Sequence, residues 1–313
     1  ARLKAAELAS ARLSLARDIA DTYYEIGYVA QSQEINAKLM EMVRRIRRDA
    51  ENNYAVGKGL QQNIFQADVE LSRLRDEAIM LENRRRTLAD RINALLNRQT
   101  YRPLDPPAKL PQPDFNLNIS QLKQTALSAN PELEGLKSGT DRARAEIKLA
   151  EKEYFPDFNF RLAYGQRDED FTGRDLPDFF TAAVMMDVPL WHRTKQSRDV
   201  AAAGHQLRSA ENRYTDLRRR LPHQINTLVS EIEDTRQRHL LYRDELIPQA
   251  EQWARSALDA YEVGKVPFDT MIDARIRLLR YERDASRLKF TIYQKRAALE
   301  ALVGQPLREK GAP

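Results

Sequence analysis

The chain has no cysteine. That excludes disulfides, thiolate metal sites and a cysteine nucleophile, and it leaves the compartment open. Histidine is nearly as scarce. His192, His205, His223 and His239 are the only four; none pairs at i, i+4, and no spacing matches a metal-binding motif. Glycine (11) and proline (14) are few among 313 residues, so phosphate-cradling loops have little material. No P-loop, dinucleotide fingerprint or nucleophile elbow is found. No stretch reaches the roughly 20 apolar residues of a membrane helix, and none of these residues reads as a signal peptide. Carboxylates are plentiful but scattered, and Asp168–Asp170 reads as a solvated loop. These absences predict a protein that is not an enzyme and carries no cofactor and no metal.

Charge, by contrast, is abundant. Charged residues make up 31% and hydrophobic residues 42%, a mix that favours long solvated helices over a compact α/β enzyme. The net charge of +5 is a small difference between 51 basic and 46 acidic residues. The basic clusters Arg44–Arg48, Arg84–Arg86 and Arg218–Arg220 raise nucleic-acid binding as a rival reading, supported by a pI near 9.3. No aromatic residues interleave with them as a base-stacking platform would, and the solvated face of a helix explains them.

The strongest internal signal is a duplication. Displaced by 207 positions, Tyr54, Val56, Gly57 and Lys58 fall on Tyr261, Val263, Gly264 and Lys265. Without a gap, Ala67, Leu71, Arg73, Ala78 and Leu81 fall on Ala274, Leu278, Arg280, Ala285 and Leu288, and Asn97 falls on Gly304. Upstream the two copies align only after a shift of one residue, Ile19–Ile26 with Ile225–Ile232. Within each copy the apolar residues recur at three and four: Ile64, Ala67, Leu71, Leu74, Ala78 and Leu81, then Met271, Ala274, Leu278, Tyr281, Ala285 and Leu288. That spacing makes one stripe of a helix. The run from about Ala1 to Ala55 is a helix of about 80 Å, which needs lateral partners along its length, as in a coiled coil or helical barrel. Gly57 and Gly264 are expected where one helix stops and another returns, a reversal that asks for positive φ. Asn97 and Gly304 are expected in the left-handed conformation that ends a helix. Val and Lys beside the turn glycines have no core to serve there, so each tip is also read as a surface.

One segment alternates with period two. Phe158, Phe160, Leu162 and Tyr164 oppose a second run, Phe180, Ala182, Val184, Met186 and Val188, across a polar loop. This predicts a β-hairpin over 156–190 with one wholly apolar face, which suits a soluble hairpin packed on a helix or, by its dyad pattern and strand length, a transmembrane β-barrel; beside helices this long the membrane reading is preferred. The organisation expected is a first-repeat helical hairpin over 1–100, a Pro-rich extended surface linker over 101–118, and a second repeat over 119–313 comprising a helix, the β-hairpin and a long helical hairpin at 192–304.

At Ile119–Gly165 the order Ala-Leu, Asn-Pro-Glu-Leu, Ala-rich helix, Pro-Asp and strand resembles the opening of the second half of a TolC-like outer-membrane efflux factor. Asp187–Trp191 is similar to that family's strand exit, and the phrases beginning at Tyr261 and Ala298 to its closing helical hairpin. Within the family the chain resembles most the heavy-metal or cation efflux branch. The resemblance implies a mainly α fold of long antiparallel helical hairpins with a β-hairpin in each repeat. It also implies a homotrimer, with a twelve-stranded barrel in the outer membrane lipid and an α-helical barrel across the periplasm of a Gram-negative cell. The function implied is a passive exit duct of a tripartite efflux pump, powered by an inner-membrane partner. A periplasmic adaptor would dock at Val56, Gly57, Lys58, Val263, Gly264 and Lys265, with lysine in place of the family's frequent Leu or Thr. Aperture candidates are Asp269, Thr270, Asp273 and Gln66, Asp273 matching one of the family's inward-facing aspartates.

The resemblance implies two β-hairpins per protomer, and this sequence shows one; its counterpart would precede Ala1, where the chain opens on what reads as the middle of a helix. The expectation is a chain whose native N-terminal part has been removed. With half its strands and unpaired edges it is expected not to close a membrane barrel alone. The structural rival is an α-helical coiled-coil scaffold without a channel, which liposome conductance separates from a duct.

Overall fold

The computed structural model describes residues 1–99, 102, 104–105, 110, 115, 117–167, 177–187 and 194–307. Along these the elements are α1 (Arg2–Ala55), α2 (Gln61–Leu95), α3 (Ile119–Ala129), α4 (Pro131–Lys152), β1 (Asp157–Gly165), β2 (Phe179–Asp187), α5 (Gln196–Leu241), a π turn (Tyr242–Leu246), α6 (Ile247–Glu262) and α7 (Phe268–Val303). The residues group into two compact units, Ala1–Ala6 with Glu132–Arg219, and Glu7–Pro131 with Arg220–Pro313.

The larger unit contains two helical hairpins. In the first, α1 and α2 run antiparallel: Gln33 Nε2 donates to Glu82 at 3.2 Å, Asn36 Nδ2 to the Leu74 carbonyl at 3.0 Å, and Arg47 Nε to Asp68 at 2.6 Å. Leu39, Val43 and Ala50 of α1 bury against Ala67, Leu71 and Leu74 of α2; nearer the other end, Ile26 and Val29 meet Leu88 and Ile92. Each buried Leu or Ile removes apolar surface worth about 1.5–3 kcal/mol. Many contacts of this kind, and no one of them, hold so long a pair together. In the second hairpin α5, the π turn and α6 form one shaft that returns along α7. Lys295 pairs with Glu231 at 2.5 Å, the Tyr242 and Tyr281 rings meet edge to face at 5.9 Å, and Tyr261 meets Phe268 at 5.8 Å.

α7 also lies against the first hairpin. Ile272 and Ile276 join the α1–α2 cluster, Arg283 pairs with Glu77, and Arg287 pairs with Glu25 at 2.5 Å. A further core gathers Leu221, Ile225, Val229 and Ile232 of α5, Leu122 and Ala126 of α3, and Ile292, Leu299 and Val303 of α7. The α5 residues stand at spacings of three and four, so they share one face.

The π turn accounts for the one-residue shift between the repeats. Upstream of it the copies differ by 206 positions and downstream by 207, and a π turn is how a helix absorbs one extra residue. The Ile247 amide bonds the Tyr242 carbonyl five residues back. Pro248, which has no N–H to offer the carbonyl four before it, stands just after. In the first repeat α1 continues as α-helix through the equivalent stretch.

Helix ends follow the residue types. Asn97 has φ 52° and Gly304 φ 90°. At Gly304 a Cβ would lie 2.6 Å from the Ala129 carbonyl oxygen, so both backbone conformation and close approach demand glycine. Asn130 Nδ2 donates to the Leu302 carbonyl at 2.9 Å, and Pro131 then opens α4. The Asn-Pro pair therefore secures the end of α7 as well as the start of a helix.

One expectation needs correcting. The Pro-rich segment is not wholly a surface linker, because Phe115 is buried in the core, edge-on to Tyr293 at 6.1 Å and under the Arg296 guanidinium at 4.9 Å. Aromatic area inside a helical core outweighs the polar character of its neighbours. Most of the rest of 101–118 lies outside the described residues, as do Asp168–Asp170, Val188–Trp191 and His192.

In the smaller unit Arg144 of α4 pairs with Glu211 of α5 at 3.1 Å, and Gly135 lets α4 approach Ala6, 3.4 Å from where a Cβ would stand. Between these helices β1 and β2 pair antiparallel, placing Phe158 opposite Met186, Phe160 opposite Val184, Leu162 opposite Ala182 and Tyr164 opposite Phe180.

Candidate functional site

The two tips are near copies in geometry as well as sequence. Gly57 and Gly264 adopt φ 73° and 74°. Lys58 N–H donates to the Asn53 carbonyl and Lys265 N–H to the Ala260 carbonyl, both at 2.8 Å. Gly57 N–H donates to the Tyr54 carbonyl and Gly264 N–H to the Tyr261 carbonyl, both at 3.0 Å. These paired bonds close a helix C-terminus around a left-handed glycine. Satisfying the last carbonyls this way leaves the neighbouring side chains free. Val56 and Val263 are each 67% exposed, and Lys58 and Lys265 are exposed beside them.

Between the tips lies an open cavity of about 720 Å³. Asn53, Lys58 and Gln66 line it from the first hairpin, and Tyr261, Gly264 and Asp269 from the second. Asp269 accepts from the Thr270 amide at 2.7 Å, which ties it to the first turn of α7. Asp273 is exposed one turn further on. The fold thus brings Lys58, Gln66, Gly264 and Asp269 to one cavity, and leaves Val56, Val263 and Asp273 on outer surfaces.

The β ribbon offers a second surface. Phe160 is 77% exposed and Leu162 73%. Among the described residues nothing covers this apolar face. No helix of the described residues is long and apolar enough to cross a membrane. No group of three metal-ligating side chains gathers among the described residues.

Sequence periodicity missed a third surface. Phe65, Val69, Ile79 and Met80 on α2 are 58–69% exposed. The signal was present, since Phe65 and Val69 occupy the positions of Ile272 and Ile276 in the second copy, which are buried.

A duplicated pair of long helical hairpins, each ending in a matched glycine turn, together with a bare two-stranded ribbon that follows α4 and precedes α5 in the chain, defines a class of long-hairpin, mainly helical proteins. Residues 122–305 match the family model described as outer membrane efflux protein, and the chain belongs to that family, whose members are efflux proteins of the outer membrane and not enzymes. None of the curated proteins compared with it matches. Among solved structures it resembles the outer-membrane channel OprN (16% identity, TM-score 0.85, covering 97% of this chain and 68% of that one). It also resembles the outer membrane protein VceC from Vibrio cholerae (18%, 0.81, covering 98% and 74%), and the open state of the MtrE outer membrane channel from Neisseria gonorrhoeae (15%, 0.80, covering 99% and 70%). At these identities the likeness speaks for the fold.

Proposed function

We propose that the protein is a protomer of a passive exit duct in a tripartite efflux pump, assembling as a homotrimer and docking a periplasmic adaptor through its hairpin tips. The observation that carries the assembly is the unequal burial of equivalent residues. Ile272 and Ile276 of α7 bury against the first hairpin of the same chain. Their first-repeat counterparts, Phe65 and Val69 on α2, stand exposed. On the other side, Ile46 packs into that cluster, while its second-repeat counterpart, Trp253, is 42% exposed. The interface that joins hairpin to hairpin inside the chain is thus available again between chains, α2 of one copy against α6 of the next. Repetition of such a head-to-tail contact closes a ring when its rotation is one third of a turn, as a homotrimer requires.

The ribbon supplies the membrane part. Its apolar face meets lipid and its mixed face, with Asn159, Arg161 and Thr181, meets water, the alternation a barrel wall requires. The tips supply the partner surface. Val56 and Val263 give apolar contact, Lys58 and Lys265 give charge, and the cavity between the tips gives a seat. Asp269, Thr270, Asp273 and Gln66 lie next to that seat, where an aperture would be set. Opening follows if the adaptor binds the open arrangement more tightly than the closed one.

The test of docking is charge reversal. With Lys58→Glu and Lys265→Glu together, adaptor binding and pump-dependent resistance are expected to drop at least about tenfold, a loss of about 1.4 kcal/mol, with the protein still delivered to the outer membrane. Unchanged binding would exclude the tip lysines as contacts. Trimer formation and conductance measured on the same variant separate a docking defect from a failure to assemble.

A further inference from the structure

The second shaft contains a feature that the first lacks. At the seam between α5 and α6 three features coincide: the extra residue that displaces the repeats, the π turn that houses it, and Pro248 just beyond. A π turn gives wider, weaker backbone bonding than the α-helix on either side, and a proline removes one more bond. The shaft is therefore weakened there. α1 passes the equivalent point without a break.

Immediately before the turn stands His239. It is only 6% exposed, and its Nδ1 lies 3.1 Å from the Ala285 carbonyl of α7. An acceptor at that distance assigns the ring proton to Nδ1. Nε2, on the far side of the ring, is buried with no hydrogen-bond partner. The first-repeat counterpart is Gln33, whose amide reaches Glu82 instead. Three charged groups act on the imidazole through their fields. Arg243 and Asp244 of the π turn pair with each other at 2.6 Å, and Lys289 of α7 has its ammonium on the Leu110 carbonyl at 2.6 Å. Nε2 itself meets no hydrogen-bond acceptor.

We propose that the π turn is a joint peculiar to the second shaft and that His239 is its pin, closed when the imidazole is neutral and released when it takes a proton. A neutral ring satisfies Ala285 and tolerates a bare nitrogen. A protonated ring places a second N–H where no acceptor stands and a full charge in a buried site with Asp244 already paired to Arg243, and admitting water between α5 and α7 relieves both. Burial, the largest influence, opposes the charged form of His239, and Arg243 and Lys289 oppose it too, so its pKa lies below the ordinary histidine value. For a group depressed on folding, the stabilisation is fully present above the unfolded pKa of about 6.5 and is lost as pH falls from there toward the folded value. The second tip, carried by α6, is the one that acid loosens, and the first tip is indifferent. This inference does not depend on adaptor docking or on the duct reading.

Hydrogen–deuterium exchange on the whole chain tests it, comparing pH about 7.5 with pH about 5.0, above the range where ordinary carboxylates titrate, after correction for intrinsic rates. Exchange across Tyr242–Glu262 is expected to rise roughly threefold or more at the lower pH, while Leu39–Ala55 stays constant. His239→Gln keeps a donor for Ala285 and cannot titrate; its exchange is expected to be the same at both pH values. Deleting Arg243 lets the π turn close to α-helix without rotating α6, because a π turn holds one residue more over a similar rise. That deletion is expected to bring exchange over the seam down to the level of α1. A wild-type pH response preserved in His239→Gln would remove His239 as the pin, and unchanged exchange after the deletion would remove the joint.

Discussion

At the residue scale, glycine does different work at different helix ends. At Gly57 and Gly264 a Cβ would meet nothing within 4 Å, so only the positive φ resists substitution. Alanine at either tip is expected to cost about 1–2 kcal/mol, read as a lower urea midpoint with unchanged m-value. At Gly304 the same φ combines with the Ala129 oxygen 2.6 Å from a new Cβ. Gly304→Ala is therefore expected to cost more than either tip change and to loosen α3, which a midpoint series on the three variants would show. Glu25 is the other sensitive residue. Its side chain is 10% exposed and accepts from Arg287 at 2.5 Å and Arg84 at 3.4 Å. Glu25→Gln leaves both guanidinium groups without a counterion. Because both remain about half in water, the expected loss is about 1–3 kcal/mol, less than for a fully buried pair. Glu82 gives a pH signature. Hydrogen bonds from Arg85 and Arg86 hold its pKa down at about 2. A carboxylate depressed on folding contributes stability above its ordinary value of 4.5 and loses it as pH falls toward about 2. Unfolding midpoints between those pH values are expected to fall less steeply in Glu82→Gln.

At the element scale, the informative comparison is between copies. α2 and α7 align residue for residue, yet Val69 is 63% exposed and Ile276 6%. An aspartate at Ile276 puts a charge into a packed cluster and is expected to cost about 3–5 kcal/mol or to prevent folding. An aspartate at Val69 is expected to leave the monomer's unfolding midpoint within about 0.5 kcal/mol and to abolish the trimer, measured by sedimentation in detergent. A trimer that survives Val69→Asp would count against the ring contact. Alternation in the strands and three–four spacing in the helices made these elements legible from residue order alone, including the paired turns at Gly57 and Gly264. The π turn was legible only as its shadow, a one-residue slip in the repeat. Nothing in the residues Tyr242–Leu246 themselves distinguishes a π turn from an α turn, because the difference lies in which carbonyl each amide finds.

At the scale of the whole molecule, residue order determined the class: two copies of a long helical hairpin, a ribbon with one apolar face, and no group of side chains for catalysis. It could do so because periodicity and turn chemistry are local, set by neighbours within a turn or two of helix or along a strand. Which of two equivalent apolar stripes is covered was decided only by the tertiary structure, as was the burial of Phe115 under Arg296 and the isolation of His239 at the seam of the second shaft. Burial depends on what the rest of the chain brings alongside, and the two copies, alike in sequence, do not have the same neighbours.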